Sequence, residues 1–87
     1  MAWTIRFDSV AERQFKKLDK SVARRIRDYL KDVSLLEDVR SRGAGLSGNL
    51  AGLWRYRIGD YRVICDIYDE EIIILVIDIG HRKSVYE

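Results

Sequence analysis

Arg55, Arg57 and Arg62 fall within one short stretch, Leu-Trp-Arg-Tyr-Arg-Ile-Gly-Asp-Tyr-Arg from Leu53 to Arg62. It reads as two strands joined at Gly59-Asp60, and a glycine in the first central position suits a type II′ hairpin turn. With Ile58 and Tyr61 flanking that turn, Arg57 stands opposite Arg62, Tyr56 opposite Val63, Arg55 opposite Ile64 and Trp54 opposite Cys65. Side chains alternate between the faces of a strand. One face therefore carries Trp54, Tyr56, Ile58, Tyr61, Val63 and Cys65, a core face. The other carries the three arginines. Like charges directly opposite one another destabilise a strand pair, so this arrangement gains a physical rationale when an anion lies between them.

Guanidinium groups stay charged and present a planar fork that matches phosphate oxygens. Several of them together stabilise the added negative charge of a pentavalent phosphorus transition state. RNA supplies its own nucleophile, the 2′-hydroxyl, so cleavage beside such a cluster requires neither a metal nor an activated water. It requires charge stabilisation, help in deprotonating the hydroxyl, and an acid or a positive field for the leaving 5′-oxygen. The C-terminal His81-Arg82-Lys83-Ser84-Val85-Tyr86 is a second source of such groups. Arg82 adds a fourth guanidinium, Lys83 a further cation, Tyr86 a ring able to stack on an unpaired base, and His81 an imidazole, the side-chain type suited to acid–base work near neutrality.

Each residue also has a structural reading. Arg55 or Arg57 alone can snorkel from a solvated sheet face. His81 alone can be a surface residue or a local hydrogen-bond donor, and Tyr86, as the penultimate residue, can fray. Asp60 and Asp66 are positioned to neutralise part of the cluster. The functional reading rests on convergence, not on any one side chain.

The elements that must bring these residues together follow in chain order. Trp3 to Phe7 alternates as a half-buried strand. Ser9 and Glu12 have capping-box spacing, so a helix is expected to start there, with Ala11, Phe15 and Leu18 inward. After Asp19-Lys20-Ser21 a second helix is expected from about Lys20 to about Leu36, burying Val22, Ile26, Tyr29, Leu30 and Val33. The outer faces of this helical hairpin are basic: Lys16, Lys17, Lys20, Arg24, Arg25 and Arg27, with Arg13 and Lys31. They read either as an RNA- or ribosome-docking surface or as a solvated face with ion pairs at helical spacing. Glu37 to Gly52 is glycine-rich, but it leads into a strand and lacks the Gly-Lys-Ser/Thr ending of a phosphate-cradling loop, so it reads as a connector. Ile72 to Ile77 is apolar at every position and belongs in the middle of a sheet. A two- or three-residue turn at Asp69 would set Ile77 opposite Arg62 or Val63. Under either register Asp78-Ile79-Gly80 emerges beside Arg62 and delivers the His81–Tyr86 segment to the arginine pair. The expectation is an α+β fold: an N-terminal strand, a helical hairpin, then a three-stranded antiparallel meander, in one roughly four-stranded sheet.

With 87 residues the chain is expected to form a single domain over residues 1–87. A net charge of +2 does not by itself announce a nucleic-acid binder, so the placement of charge has to carry that case. Cys65 is the only cysteine, which excludes an internal disulfide and a multi-cysteine zinc site, and on an apolar strand face it reads as a small buried hydrophobe. One histidine and no carboxylate cluster at ligand spacing disfavour a metal, and no cofactor is expected. No signal segment or bilayer-spanning run is evident, which makes the cytoplasm the expected location and a membrane partner unexpected.

Leu53 to Ile64, followed by Ile79-Gly80-His81-Arg82-Lys83-Ser84-Val85-Tyr86, resembles the RelE branch of the RelE/ParE toxin superfamily, and the order of elements matches along the chain. The resemblance implies the toxin of a type II toxin–antitoxin pair, a metal-independent endoribonuclease that enters the ribosomal A site and cuts mRNA by 2′-hydroxyl attack. It implies that Arg55 and Arg57 serve deprotonation and transition-state stabilisation, at positions where the family has lysines. It further implies that Arg62 stabilises the phosphate, that Arg82 protonates the leaving oxygen or stabilises its charge, and that Tyr86 stacks on the base. The implied partners are a RelB-like antitoxin, the ribosome and mRNA, with operator DNA reached only through the antitoxin. Two alternatives stay open: a ParE-like inhibitor of DNA gyrase, and a catalytically degenerate relative acting only as an antitoxin- and operator-binding module.

Overall fold

The computed structural model describes residues 2–81. Strand β1 (Thr4–Phe7) leads directly into helix α1 (Ser9–Lys16), and a short turn leads to α2 (Lys20–Ser34). The cap of α1 is Asp8 and not Ser9. Pairing of β1 ends at Phe7, so Asp8 is the last extended residue, and its carboxylate accepts the Ala11 N–H at 2.8 Å. Helix α2 stops two residues before Leu36. Leu35 and Leu36 donate instead to Asp32 and Val33, a tightened final turn, and the Ser34 carbonyl accepts from Trp3 N–H at 2.9 Å. That bond ties the start of β1 to the end of α2.

The connector is more ordered than its composition suggests. It contains two 3₁₀ turns, at Val39–Ser41 and Gly48–Leu50, separated by a two-residue strand β2 (Ala44–Gly45). It then enters β3 (Trp54–Ile58), β4 (Tyr61–Tyr68) and β5 (Ile73–His81). The sheet has five strands in the order β1-β5-β4-β3-β2, one more than expected, because β2 pairs with Trp54 and Arg55. This approach needs Gly43, whose φ is +83° and whose absent Cβ would strike the Arg55 carbonyl and lie 2.6 Å from Trp54 Nε1.

Strand β5, apolar from Ile73 to Ile77, lies between β1, which it meets in parallel, and β4, which it meets antiparallel, so the sheet is mixed. Both helices cover one face. Ala11, Ile26, Leu30 and Val33 pack there against Tyr56, Val63, Val76 and Ile79, all 4% exposed or less. The rings of Phe7 and Phe15 meet at 5.1 Å between β1 and α1. Ile64, 1% exposed, faces away from the helices and stands outside this cluster.

The β4–β5 register differs from both expected ones. The loop spans four residues, Asp69 to Ile72, with Tyr68 opposite Ile73. Ile72 closes it at φ +57°, where its carbonyl accepts Thr4 N–H at 2.9 Å. A bulge then falls at Ile77: Cys65 pairs with Val76, but Ile64 pairs with Asp78. From there Val63 meets Ile79, Arg62 meets Gly80 and Tyr61 meets His81. The end of β5 does come out beside Arg62, but through a longer loop and an extra residue.

Candidate functional site

The β3–β4 hairpin forms as the residue types require. Gly59 takes φ +60° at the first central position, Asp60 does not share that conformation, and the five pairs from Trp54↔Cys65 to Ile58↔Tyr61 include Arg57 directly opposite Arg62. Alternation sets Arg55, Arg57 and Arg62 on the face away from the helices. Their environments differ. Arg57 is exposed, on a stretch of β3 that β2 does not reach. Arg55 is half-buried, opposite Ile64 and beside Ala44. Arg62 is 8% exposed, with Arg57 across one strand boundary and Gly80 across the other. A residue without a side chain at that position leaves room for a guanidinium on the sheet surface. The structure thus brings a buried and an exposed arginine together at one pair of positions, where partial desolvation strengthens attraction for an anion.

His81 is not part of this group. It is the cross-strand partner of Tyr61, and its ring meets the Tyr61 ring edge-on at 5.5 Å on the face shared with the helices. The same alternation that gathers the arginines turns His81 the other way. Arg82, Lys83 and Tyr86 lie outside the described residues.

Among the helix cations, Lys16, Lys17, Lys20, Arg24, Arg25 and Arg27 are all exposed, and none of them forms an ion pair within 4 Å among the described residues. These cations face solvent without the i, i+3 and i, i+4 ion pairs expected of such a face, among the described residues. Arg25 is the one that approaches the hairpin. Its guanidinium lies beside Gly59, with Nη2 at 2.9 Å from where a Cβ would stand, and it lines a groove with Arg57, Tyr29 and Ile58. Arg27 lines a separate apolar groove with Ile5, Phe7 and Phe15.

Two further arginines, not singled out from the sequence, brace the sheet and its connector. Arg40 makes a bidentate pair with Asp69, both bonds 3.0 Å, and its guanidinium stands 6.0 Å from the Trp54 ring. That bond holds the Asp69 carboxyl below its usual range. Arg42 stands 5.4 Å over the Tyr29 ring, and its carbonyl accepts Trp54 Nε1–H at 2.8 Å. No local pattern marks these contacts, since they join residues 12 to 29 positions apart. Asp66, expected as a neutralising partner, accepts instead from the Tyr68 hydroxyl at 2.9 Å, which raises the pKa of that phenol.

Two further groups with acid–base capacity, Tyr56 and Cys65, are structural. Tyr56 is fully buried and donates to the Val39 carbonyl at 2.7 Å, and burial pushes its pKa far up. Burial does the same to the Cys65 thiol, which makes it a poor nucleophile. Among the described residues no three His, Cys, Asp or Glu side chains cluster as a metal site would require.

A mixed sheet with two helices on one face is the fold this chain shares with solved RelE toxins. The family model described as the ParE toxin of the type II toxin–antitoxin system, parDE, matches residues 5–86, and the chain belongs to that family of toxins. Toxin RelG of Mycobacterium tuberculosis is 29% identical over 86 residues, covering 99% of this chain and 98% of RelG. The toxin–antitoxin complex RelBE2 of the same organism superposes with a TM-score of 0.84 at 28% identity, covering 94% of this chain and 93% of that one. The intact Escherichia coli RelBE complex, at 20% identity and a TM-score of 0.74 over 92% of this chain and 96% of that one, shares the fold. No helix among the described residues is long and apolar enough to cross a membrane.

Proposed function

We propose that this toxin is a ribosome-dependent mRNA endonuclease. The observation that carries the reading is the Arg57–Arg62 pair: one arginine buried, one exposed, directly opposed across two strands beside Gly80. In the reaction the 2′-oxygen of a nucleotide in the A site attacks the adjacent phosphorus, the bond from phosphorus to the 5′-oxygen breaks, and the products are a 2′,3′-cyclic phosphate and a 5′-hydroxyl. Arg62 holds the non-bridging oxygens as charge accumulates on them. Arg55 and Arg57 lower the cost of forming the 2′-oxyanion through their field. Arg82 stabilises or protonates the leaving oxygen and Tyr86 stacks on the base, with Lys83 on flanking phosphate. His81 is left out of the chemistry because its ring lies with Tyr61 on the opposite face of the sheet from the arginine pair.

The exposed cations of α1 and α2 form the docking surface for ribosomal RNA, with Arg25 the nearest to the arginine pair. A cognate RelB-like antitoxin silences the toxin and carries it to operator DNA. Relatives solved as toxin–antitoxin complexes support that partner. The test is purified toxin with programmed ribosomes: cleavage in the A-site codon with a cyclic phosphate end, lost in Arg62→Ala and Arg82→Ala. Absence of cleavage by wild type, or equal cleavage by both variants, overturns the reading. The ParE description of the family model favours one alternative, inhibition of DNA gyrase. Loss of supercoiling by purified gyrase, with translation untouched, would select it.

A further inference from the structure

The bulge at Ile77 decides which face each later residue of β5 takes. From Tyr68↔Ile73 to Cys65↔Val76 the β4–β5 pairing keeps one register. Continued without a bulge, that register would set Ile79 opposite Arg62. The extra residue inverts the alternation, so Ile79 enters the core beside Val63, 4% exposed, and Gly80 stands beside Arg62.

Something must hold the strand in this shifted state. Strand β1 covers the outer edge of β5 only as far as Val76, where Phe7 makes the last pair and Asp8 N–H donates to the Val76 carbonyl at 3.0 Å. Beyond that point the edge would be left without a strand partner. Helix α1 runs over it, and one side chain takes the place of a strand: Gln14 Oε1 accepts the Ile79 N–H at 2.8 Å while Gln14 Nε2 donates to Asp78 Oδ1 at 2.8 Å. Both bonds are partly buried, and they clasp the two residues that follow the bulge from opposite sides of one planar amide.

We propose that Gln14 is a positioning residue for the anion site. Its amide locks the β5 bulge through Asp78 and Ile79, and so keeps Gly80 in register with Arg62. This rests on the nuclease reading only for its rate measurement. The amide needs an acceptor toward Ile79 and a donor toward Asp78, which makes a charge-swap test available. Gln14→Glu keeps the acceptor but sets a carboxylate against Asp78. Gln14→Glu with Asp78→Asn restores a donor facing an acceptor, now in the opposite sense.

The experiment compares wild type, Q14E and the Q14E/D78N double variant by three readouts. Amide hydrogen exchange at Ile79 reports the lock, inorganic phosphate titrated against the Arg62 Nε–H resonance reports the anion site, and saturating programmed ribosomes report the cleavage rate. A displacement of about an ångström at a reacting centre costs up to about 100-fold in rate, so Q14E should lose at least about 10-fold in maximal rate with little change in half-saturation. It should also exchange Ile79 faster and bind phosphate more weakly, and all three effects should recover in the double variant. Unchanged Ile79 exchange in Q14E overturns the proposal, as does faster exchange with wild-type phosphate binding, or a loss that the double variant fails to recover. If wild type itself does not cleave, the nuclease reading falls and the exchange and phosphate measurements alone decide the role of Gln14.

Discussion

Replacing Arg57 by glutamine should make the protein more stable and a weaker anion binder at once. Arg57 and Arg62 are direct cross-strand partners, with Cβ atoms about 5 Å apart in such a pair, and a separation of about 6 Å is taken for their charged heads. At that separation, with an effective dielectric constant between about 40 and 80 for a pair half open to water, the repulsion is about 0.7–1.4 kcal/mol. Arg57 is exposed and makes no ion pair within 4 Å among the described residues, so its removal gives up little. Over 87 residues the entropy of unfolding converts 1 kcal/mol into about 5 °C. Arg57→Gln should therefore melt about 4–7 °C above wild type at low salt. The gain should vanish in about 1 M sodium chloride, where the screening length falls to about 3 Å.

Inorganic phosphate supplies the complementary arm. Bound between the two guanidinium groups at ten times its dissociation constant, it stabilises wild type by about 1.4 kcal/mol, and it should do much less for the variant. Thermal melts monitored by circular dichroism across a salt series and a phosphate series measure both effects. A variant that melts below wild type at low salt, or whose gain survives high salt, would refute the claim that these two charges work against one another in the fold.

Other outcomes follow from the surrounding framework. Tyr56→Phe leaves the buried Val39 carbonyl without its donor and should cost about 1–3 kcal/mol in urea unfolding. Gly43→Ala forces a left-handed alanine against the Arg55 carbonyl and Trp54, and should lower stability by about 2 kcal/mol or more, with loss of the β2–β3 pairing seen by amide exchange. Cys65, fully buried and with its thiol pKa raised, should resist a thiol reagent at pH 8 in the native protein and react at once in urea. Asp69, its pKa lowered first by the hydrogen bond from Arg40, contributes stability that is complete above the ordinary carboxylate range. That contribution is lost as pH falls through the lowered value, so Asp69→Asn should flatten the acid limb of the stability curve while leaving cleavage at neutral pH intact.

The alternation from Trp54 to Cys65 and the Gly59-Asp60 turn carried enough local information to determine the hairpin, its register and the opposition of Arg57 and Arg62. A two-residue turn leaves one pairing, and a two-residue period leaves one choice of face. The unbroken apolar run from Ile72 determined in the same way that β5 would be central. Helical spacing from Val22 to Val33 determined the stripe that α2 buries, although the capping role of Asp8 depended on where β1 stopped pairing. What the sequence could not express was anything that joins distant positions without a period. The four-residue loop and the Ile77 bulge shift the β4–β5 register by an amount no alternation reveals. Strand β2 exists because a glycine lets the connector press on β3, and His81 turns toward Tyr61 and the helices because the bulge inverted its face. Arg40 with Asp69, and Gln14 with Asp78 and Ile79, pair residues 29 and 64 to 65 positions apart. Local residue types set local geometry, but the depth to which Arg62 is buried and the neighbour it meets are decided by how separate segments close around one sheet.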